Sequence, residues 1–293
     1  MAPVGAQGIF HENRDSGLAE VCADEGVPHI MSTASTSSIE EVAAANQDGP
    51  PWYQLYWPHD NDITLSLLNR ARTNGFSVLV ITLDTWSLSW QPADLDNAYV
   101  PFIKGVGWQF EKESGTTIEA DIVGASRAWA RLSRAGRING NIWLCSQALD
   151  GPIVLKGIQH VEDARKALEC GCDGIVVSNH GGCQFDGAIG SLDVLPEIVD
   201  AVGDKMTVLF DSGIRTGADV IKALRLGAKA VLVGRPVIYG FGIDGRNGAR
   251  QVLKGLLADL WQTMALVGIR KIAECDSTVI RKVQHGGDVK AMM

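Results

Sequence analysis

The stretch GIVVSNHGGCQFDGAIGSLDVLPEIVDAVGDKMTVLFDSGIRTGADVIKALRLGAKAVLV (174–233) decides the fold. It opens on a short apolar run, Gly174 to Val177, passes through a glycine-rich turn and enters a helical segment, Leu192 to Ala201. The order then repeats. Thr207 to Phe210 is a second apolar run, Thr216 with Asp219 caps a helix that reaches Leu226, and Ala230 to Val233 is a third run. Short β-branched runs bounded by glycine read as buried strands, and the capped segments between them read as helices. Such alternation implies a parallel sheet with helices outside it.

The rhythm extends in both directions. Upstream, Ile153 to Leu155 reads as a strand and Val161 to Glu169 as a helix. Earlier still come an apolar start, Met1 to Val4, and a helix from Asp15, near its N-cap, to Asp24. His29 to Ser32 is a strand. Ser37 and Ser38, each followed three residues later by Glu40 and Glu41, form two overlapping capping boxes that open a helix to about Asn46. Trp52 to Tyr56 is a strand, Asp60 to Thr73 a helix and Ser77 to Leu83 a strand; Gln251 to Leu266 is the closing helix. From Trp86 to Asp150 the pattern lapses and the fourth helix is poorly marked. The count is eight strand–helix units, the first strand short. That points to a (β/α)8 TIM barrel rather than an open doubly wound sheet, whose glycine-rich first turn is missing. The expected organisation is one barrel over 1–275, with 107–141 as an irregular insertion or lid, and a polar tail over 276–293.

Composition excludes several classes. The chain has 293 residues, 26 basic and 34 acidic side chains and a net charge of −8. An acidic balance argues against nucleic acid or an anionic membrane as partner. Apolar stretches such as Phe76 to Leu83 fall far short of the ~20 residues of a membrane span. The first residues have neither a basic start nor an apolar core, so no signal peptide is read and a cytoplasmic location is expected. The six cysteines are too few for a disulfide scaffold, and Cys170 and Cys172 are wrongly spaced for a zinc site, so no metal is expected.

In a barrel of this kind the chemistry sits at the C-terminal ends of the strands. Those ends carry Ser32, Gln54 and Tyr56, Thr82 and Asp84, Lys156, Ser178 to Gly182, Asp211 to Arg215, and Gly234 with Arg235. Gly213, Arg215, Gly234 and Arg235 lie after the last two strands. Glycine lets backbone N–H groups approach an anion and arginine supplies charge and a fork of donors, which predicts a phosphorylated ligand or cofactor. The plainer alternative is that these glycines only make tight turns. His180 follows an apolar strand and precedes two glycines that keep the space before its ring clear. With Asp84 on a nearby strand end it reads as a base and its orienting carboxylate, the alternative being a satisfied core histidine. Lys156 reads either as a salt-bridged group or as the cation that steadies a reduced flavin.

Ser178-Asn-His-Gly-Gly-Cys-Gln-Phe-Asp-Gly187, Asp211 to Ala228 and Val233-Gly-Arg-Pro236 together resemble the FMN-dependent 2-hydroxy-acid oxidase and dehydrogenase family. The resemblance covers nearly the whole chain except about 107–141. Thr82-Leu-Asp-Thr-Trp86 and Trp90-Gln-Pro-Ala-Asp-Leu95 look most like its lactate 2-monooxygenase branch. The resemblance implies FMN as cofactor, a small (S)-2-hydroxy acid such as lactate as substrate, and oxygen or another acceptor for the electrons. It implies that His180 is the base, Asp84 its partner, and that Tyr56 faces the substrate. Lys156 would contact the flavin, and Pro3, Val4 and Gly5 would run along it. Ser32, Gln54 and Thr82 would hydrogen-bond the ring or ribityl chain. Asp211, Gly213, Arg215, Gly234 and Arg235 would hold the ribityl chain and phosphate. A homo-oligomer, a tetramer, is implied in the same way.

The chain departs from the family pattern in four places. Cys183 and Gln91 stand where the pattern has carboxylate-binding arginines. The pattern also begins before Met1 with helices that cap the barrel floor, so a truncated first strand and a missing cap are expected. Residues from about 115 to 141 do not match. These departures imply an altered substrate or impaired turnover. The competing readings are an FMN-barrel fragment without turnover and a non-redox phosphate-binding barrel.

Overall fold

The computed structural model describes residues 1–58, 60–85, 89, 91–97, 149–275, 280 and 281. The expectations on Trp86, Trp90, the 107–141 insertion and, apart from 280 and 281, the 276–293 tail lie outside these residues. Seven strands are described: β1 (His29–Ser32), β2 (Pro51–Leu55), β3 (Val78–Thr82), β4 (Ile153–Ile158), β5 (Gly174–Val177), β6 (Thr207–Phe210) and β7 (Ala230–Val231). They pair in parallel in sequence order, β1 through β7.

Eight strands were the expectation, and Met1–Val4 is not one of them. Its first two residues nevertheless join the edges of the sheet. The Met1 carbonyl accepts the Ile30 N–H at 3.3 Å, and the Ala2 N–H donates to the Val233 carbonyl at 2.9 Å. Pro3 has no N–H to continue the ladder. The seven-stranded curled sheet is thereby linked into a ring through one residue pair on each side.

Side chains of a strand alternate between its two faces. One face of this sheet packs Met31, Tyr53, Leu79, Ile175 and Phe210 against the helices. The other gathers Ile30, Val80, Val154, Val176, Leu209 and Leu232 into a separate inner cluster, with Ala2 from the linking segment and Trp52 packed on it. Two residues beyond these inner side chains, on the same face, come Ser32, Gln54, Thr82, Lys156, Ser178, Asp211 and Gly234. The inner apolar layer is the floor, and the polar residues standing on it form the mouth.

The described helices are α1 (Arg14–Asp24), α2 (Ile39–Ala45), α3 (Asn61–Thr73), α4 (Pro92–Asp96), α5 (Val161–Glu169), α6 (Ser191–Val202), α7 (Gly217–Arg225) and α8 (Arg235–Leu266). Of the two capping boxes expected before α2, the fold uses Ser38 with Glu41. Glu40 instead turns outward and pairs with Arg70 of α3 at 2.7 Å. Thr216 and Asp219 form the box that opens α7. Asp15 lies near the N-cap of α1, as expected; Asn13 holds the cap position and Asp15 is buried in the first turn. Helix α8 starts at Arg235, far before the expected Gln251, and bends sharply at Asp244 and Gly245. Pro236 fits its first turn, where a missing N–H costs nothing. Among the described residues no helix is long and apolar enough to cross a membrane.

Candidate active site

Lys156 is the buried centre of the mouth. Its Nζ donates to Ser178 Oγ at 3.0 Å and stands 3.2 Å from Asp211 Oδ2. The other Asp211 oxygen accepts the Ser212 hydroxyl at 2.9 Å. A buried ion pair holds only when its remaining hydrogen-bonding capacity is met, and Ser178 and Ser212 meet much of it. Ser178 also accepts the His180 N–H at 3.2 Å, so one fully buried hydroxyl ties the end of β4 to the start of the His180 turn.

His180 opens a short 3-10 turn, His180–Cys183, directly after β5. Its Nδ1 lies 3.4 Å from Asp84 Oδ1, an ion-pair distance without hydrogen-bond alignment. Asp84 Oδ2 accepts the Gly181 N–H at 2.8 Å. Burial by itself pushes the Asp84 carboxyl up. The His180 ring, the Lys156 charge and the Gly181 N–H outweigh it and hold the carboxyl below the ordinary carboxylate range. Glycines make room for this residue. A Cβ on Gly157, whose φ is +102°, would lie 2.5 Å from Asp84 Cγ, and one on Gly181 would lie 2.8 Å from the Asp84 carbonyl oxygen.

A second network crosses the ends of β1 to β3. Gln54 accepts the Ser32 hydroxyl at 3.1 Å and donates to Thr82 Oγ1 at 2.9 Å. The segment Pro3–Gly5 passes close above it; a Cβ on Gly5 would come within 2.7 Å of Ala34 Cβ. Tyr56 continues from β2, and burial pushes its phenol up to about 12. On the opposite side, Gly213 has φ +86°. Arg215 and Arg235 are exposed, and Arg235 begins α8 at an end that no side chain caps. Unpaired N–H groups and the positive end of the helix dipole favour an anion there.

These features surround one cavity of ≈ 430 Å³, within the usual range for small-molecule sites. Pro3, Val4, Gly5, Ser32, Tyr56, Lys156, His180, Cys183, Asp211, Gly213, Arg215, Gly234 and Arg235 line it. Gln54, Thr82, Asp84 and Gln91 are not in its wall. Gln54 and Thr82 join it through Ser32, and Asp84 joins it through His180. Gln91 donates its amide to the Cys183 carbonyl at 3.3 Å, which brings the two departures from the family pattern together. Sequence reasoning assigned no role to Ser178 or Ser212. The inward parity of β5 signals Ser178. Ser212 carries no such signal, since it takes a left-handed backbone, φ +77°, that its residue type does not announce. Its Oγ accepts the Asn179 N–H at 3.0 Å.

The family model described as FMN-dependent dehydrogenase matches residues 1–282. An FMN-dependent alpha-hydroxy acid dehydrogenase of Penicillium citrinum is 57% identical over 305 aligned residues, covering 100% of this chain and 76% of the relative. Among solved structures, a lactate oxidase of Pediococcus acidilactici superposes with a TM-score of 0.84 at 34% identity, covering 94% of this chain and 73% of that one. A mandelate oxidase variant with a C4a-OH-FMN adduct superposes with a TM-score of 0.79 at 38% identity, covering 94% and 76%.

Proposed function

The chain belongs to the FMN-dependent dehydrogenase family, and from that premise we propose that it binds FMN in this cavity and oxidises the hydroxyl-bearing carbon of a small substrate of the 2-hydroxy-acid class, such as lactate. One observation carries the reading: a buried lysine, a histidine with a carboxylate behind it, and two glycine–arginine loops share the wall of a single cavity. The residues suit FMN. Gly213, Arg215, Gly234 and Arg235 offer backbone donors and positive charge to a phosphate, with Asp211 beside them for the ribityl chain. Ser32, Gln54 and Thr82 form a polar row for the ring or ribityl oxygens, and Pro3, Val4 and Gly5 run beside it. Lys156 supplies a desolvated positive charge to a ring that becomes anionic on reduction.

When bound, FMN supplies an acceptor for the electron pair, which oxygen or another oxidant then removes. His180 takes the substrate proton. Asp84 favours the imidazolium that forms, and Gly181 holds Asp84 in place. Tyr56, Cys183 and Gln91 surround the substrate end. A homo-oligomer in the cytoplasm is part of the same reading.

The test is the visible spectrum of purified protein mixed with FMN, desalted, and then treated anaerobically with 2-hydroxy acids and their uncharged derivatives. Flavin bands that survive desalting and bleach with such a compound are expected. His180→Gln should keep the bands and slow bleaching by about 10²–10⁴. Loss of all flavin on desalting overturns the reading. Retained flavin that no hydroxy compound bleaches favours a barrel that binds the cofactor without turnover.

A further inference from the structure

Resting on the flavin reading above, we propose that the substrate end of the cavity accepts an uncharged α-hydroxy carbonyl compound, an ester or amide of a 2-hydroxy acid, in preference to the free carboxylate. The distribution of charge around His180 leads there. Among the described residues, the cavity wall beside it is made of Tyr56, Thr85, Asn179, Cys183 and Gln184, none of them a cation. The formal charge paired with the ring is negative, the Asp84 carboxylate at 3.4 Å.

The cations that do line the cavity are engaged elsewhere. Lys156 is held by Asp211 and Ser178. Arg215 and Arg235 lie on the loops after β6 and β7, with Arg215 bonded to the Ile214 carbonyl at 3.1 Å, and a cofactor phosphate takes up their charge. A substrate carboxylate beside His180 therefore meets the Asp84 carboxylate and, among the described residues, no cation apart from Lys156, whose charge Asp211 and Asp84 already share. An ester or amide carbonyl carries no such charge and asks only for neutral donors.

The chemistry balances without a carboxylate. The secondary alcohol R–CH(OH)–C(=O)X loses two electrons and two protons to become R–C(=O)–C(=O)X. One proton goes to His180, and the electron pair with the second proton goes to the flavin. The oxidant of the flavin removes these in turn, and His180 returns its proton to water.

The experiment compares lactate with methyl lactate and lactamide on flavin-loaded protein by anaerobic stopped-flow. A binding measurement that needs no turnover runs beside it, in which pyruvate and methyl pyruvate are titrated against the oxidised flavin spectrum. The uncharged partner is expected to win at least tenfold in both. Cys183→Arg places a cation in this wall and should shift the ratio at least tenfold toward the carboxylate; Gln91→Arg, at the same mouth, is the second variant. A wild-type preference for the carboxylate, no preference, or no response to any of these compounds overturns the proposal. Retention of flavin bands is scored separately, so loss of flavin is recognised as failure of the parent reading, with which this one falls.

Discussion

Asp84 shows how much of this site is settled by residues that never touch a ligand. Its carboxylate is packed by Gly157 and Gly181, and the backbone N–H of Gly181 fixes one oxygen while the other faces His180. Removing the charge and removing the space should therefore give the same symptom. Asp84→Asn keeps the shape and loses the charge that favours the imidazolium. Gly157→Ala keeps the charge but meets both a φ of +102° and a clash with Asp84 Cγ. Both variants are expected to retain flavin and to lose about 10²-fold or more in the anaerobic rate of flavin bleaching. Flavin affinity falling while the bleaching rate holds would place Asp84 with the cofactor rather than with His180.

At the scale of elements, α8 holds the clearest prediction. Its two halves fold against each other at the Asp244–Gly245 bend, and a Cβ on Gly248 would run into the Gly240 carbonyl. Backbone sits on both sides of that contact and cannot yield cheaply. Gly255, in the same helix, is exposed, and a Cβ there would meet nothing within 4 Å. Gly248→Ala should cost about 3 kcal/mol or more, as overpacking does at its severe end. Gly255→Ala should add about 0.5–1 kcal/mol through helix propensity alone. Urea unfolding of the two variants checks the opposite signs, and equal effects would deny that the crossing is tight. The same helix marks the limit of reading from sequence. The strands were legible because buried parallel strands are short apolar runs with sharp ends, as in β1, β5 and β6. The capping boxes were legible because their chemistry is local. The first half of α8 was not, because Pro236, Gly240, Gly242, Gly245 and Gly248 imitate a loop. Two of these glycines, Gly240 and Gly248, serve close contact between helices, which depends on residues distant in space. The mouth was legible for a different reason: period-two alternation carries each inner apolar residue to a polar partner two places on.

For the whole molecule, the region where the sheet meets itself adds its own response to pH. Ion pairs of α8 with α1, Arg250 with Asp24 and Glu25 among them, span this region outside the sheet. Among the buried ionisable groups inside it are two side chains with opposite behaviour. His29 begins β1 with neither ring nitrogen hydrogen-bonded, and burial, with the nearby Met1 ammonium, pushes it down to about 3. Asp15 accepts the Thr36 N–H and hydroxyl, yet burial outweighs these bonds and pushes it up to about 6. For His29 the unfolded chain binds the proton more readily, so its contribution is complete above pH 6.5 and is lost as pH falls toward 3. For Asp15 the folded chain binds the proton more readily, so its contribution is complete below pH 3.8 and is lost as pH rises through 6. Linkage makes the first roughly 5 kcal/mol and the second roughly 3 kcal/mol over their full ranges. Between pH 3.8 and about 6 the two effects run in opposite directions at one proton each and cancel; the net loss of about 2 kcal/mol from these two groups falls on either side of that window, where only the histidine titrates. Urea melts from about pH 4 to about pH 8 separate them. His29→Leu should lose less stability on acidification than the parent chain. Asp15→Asn should lose more, because it no longer gains from protonation. Parallel profiles for all three proteins would show that neither group titrates across the transition, and the acid response would then belong to the surface pairs between α1 and α8.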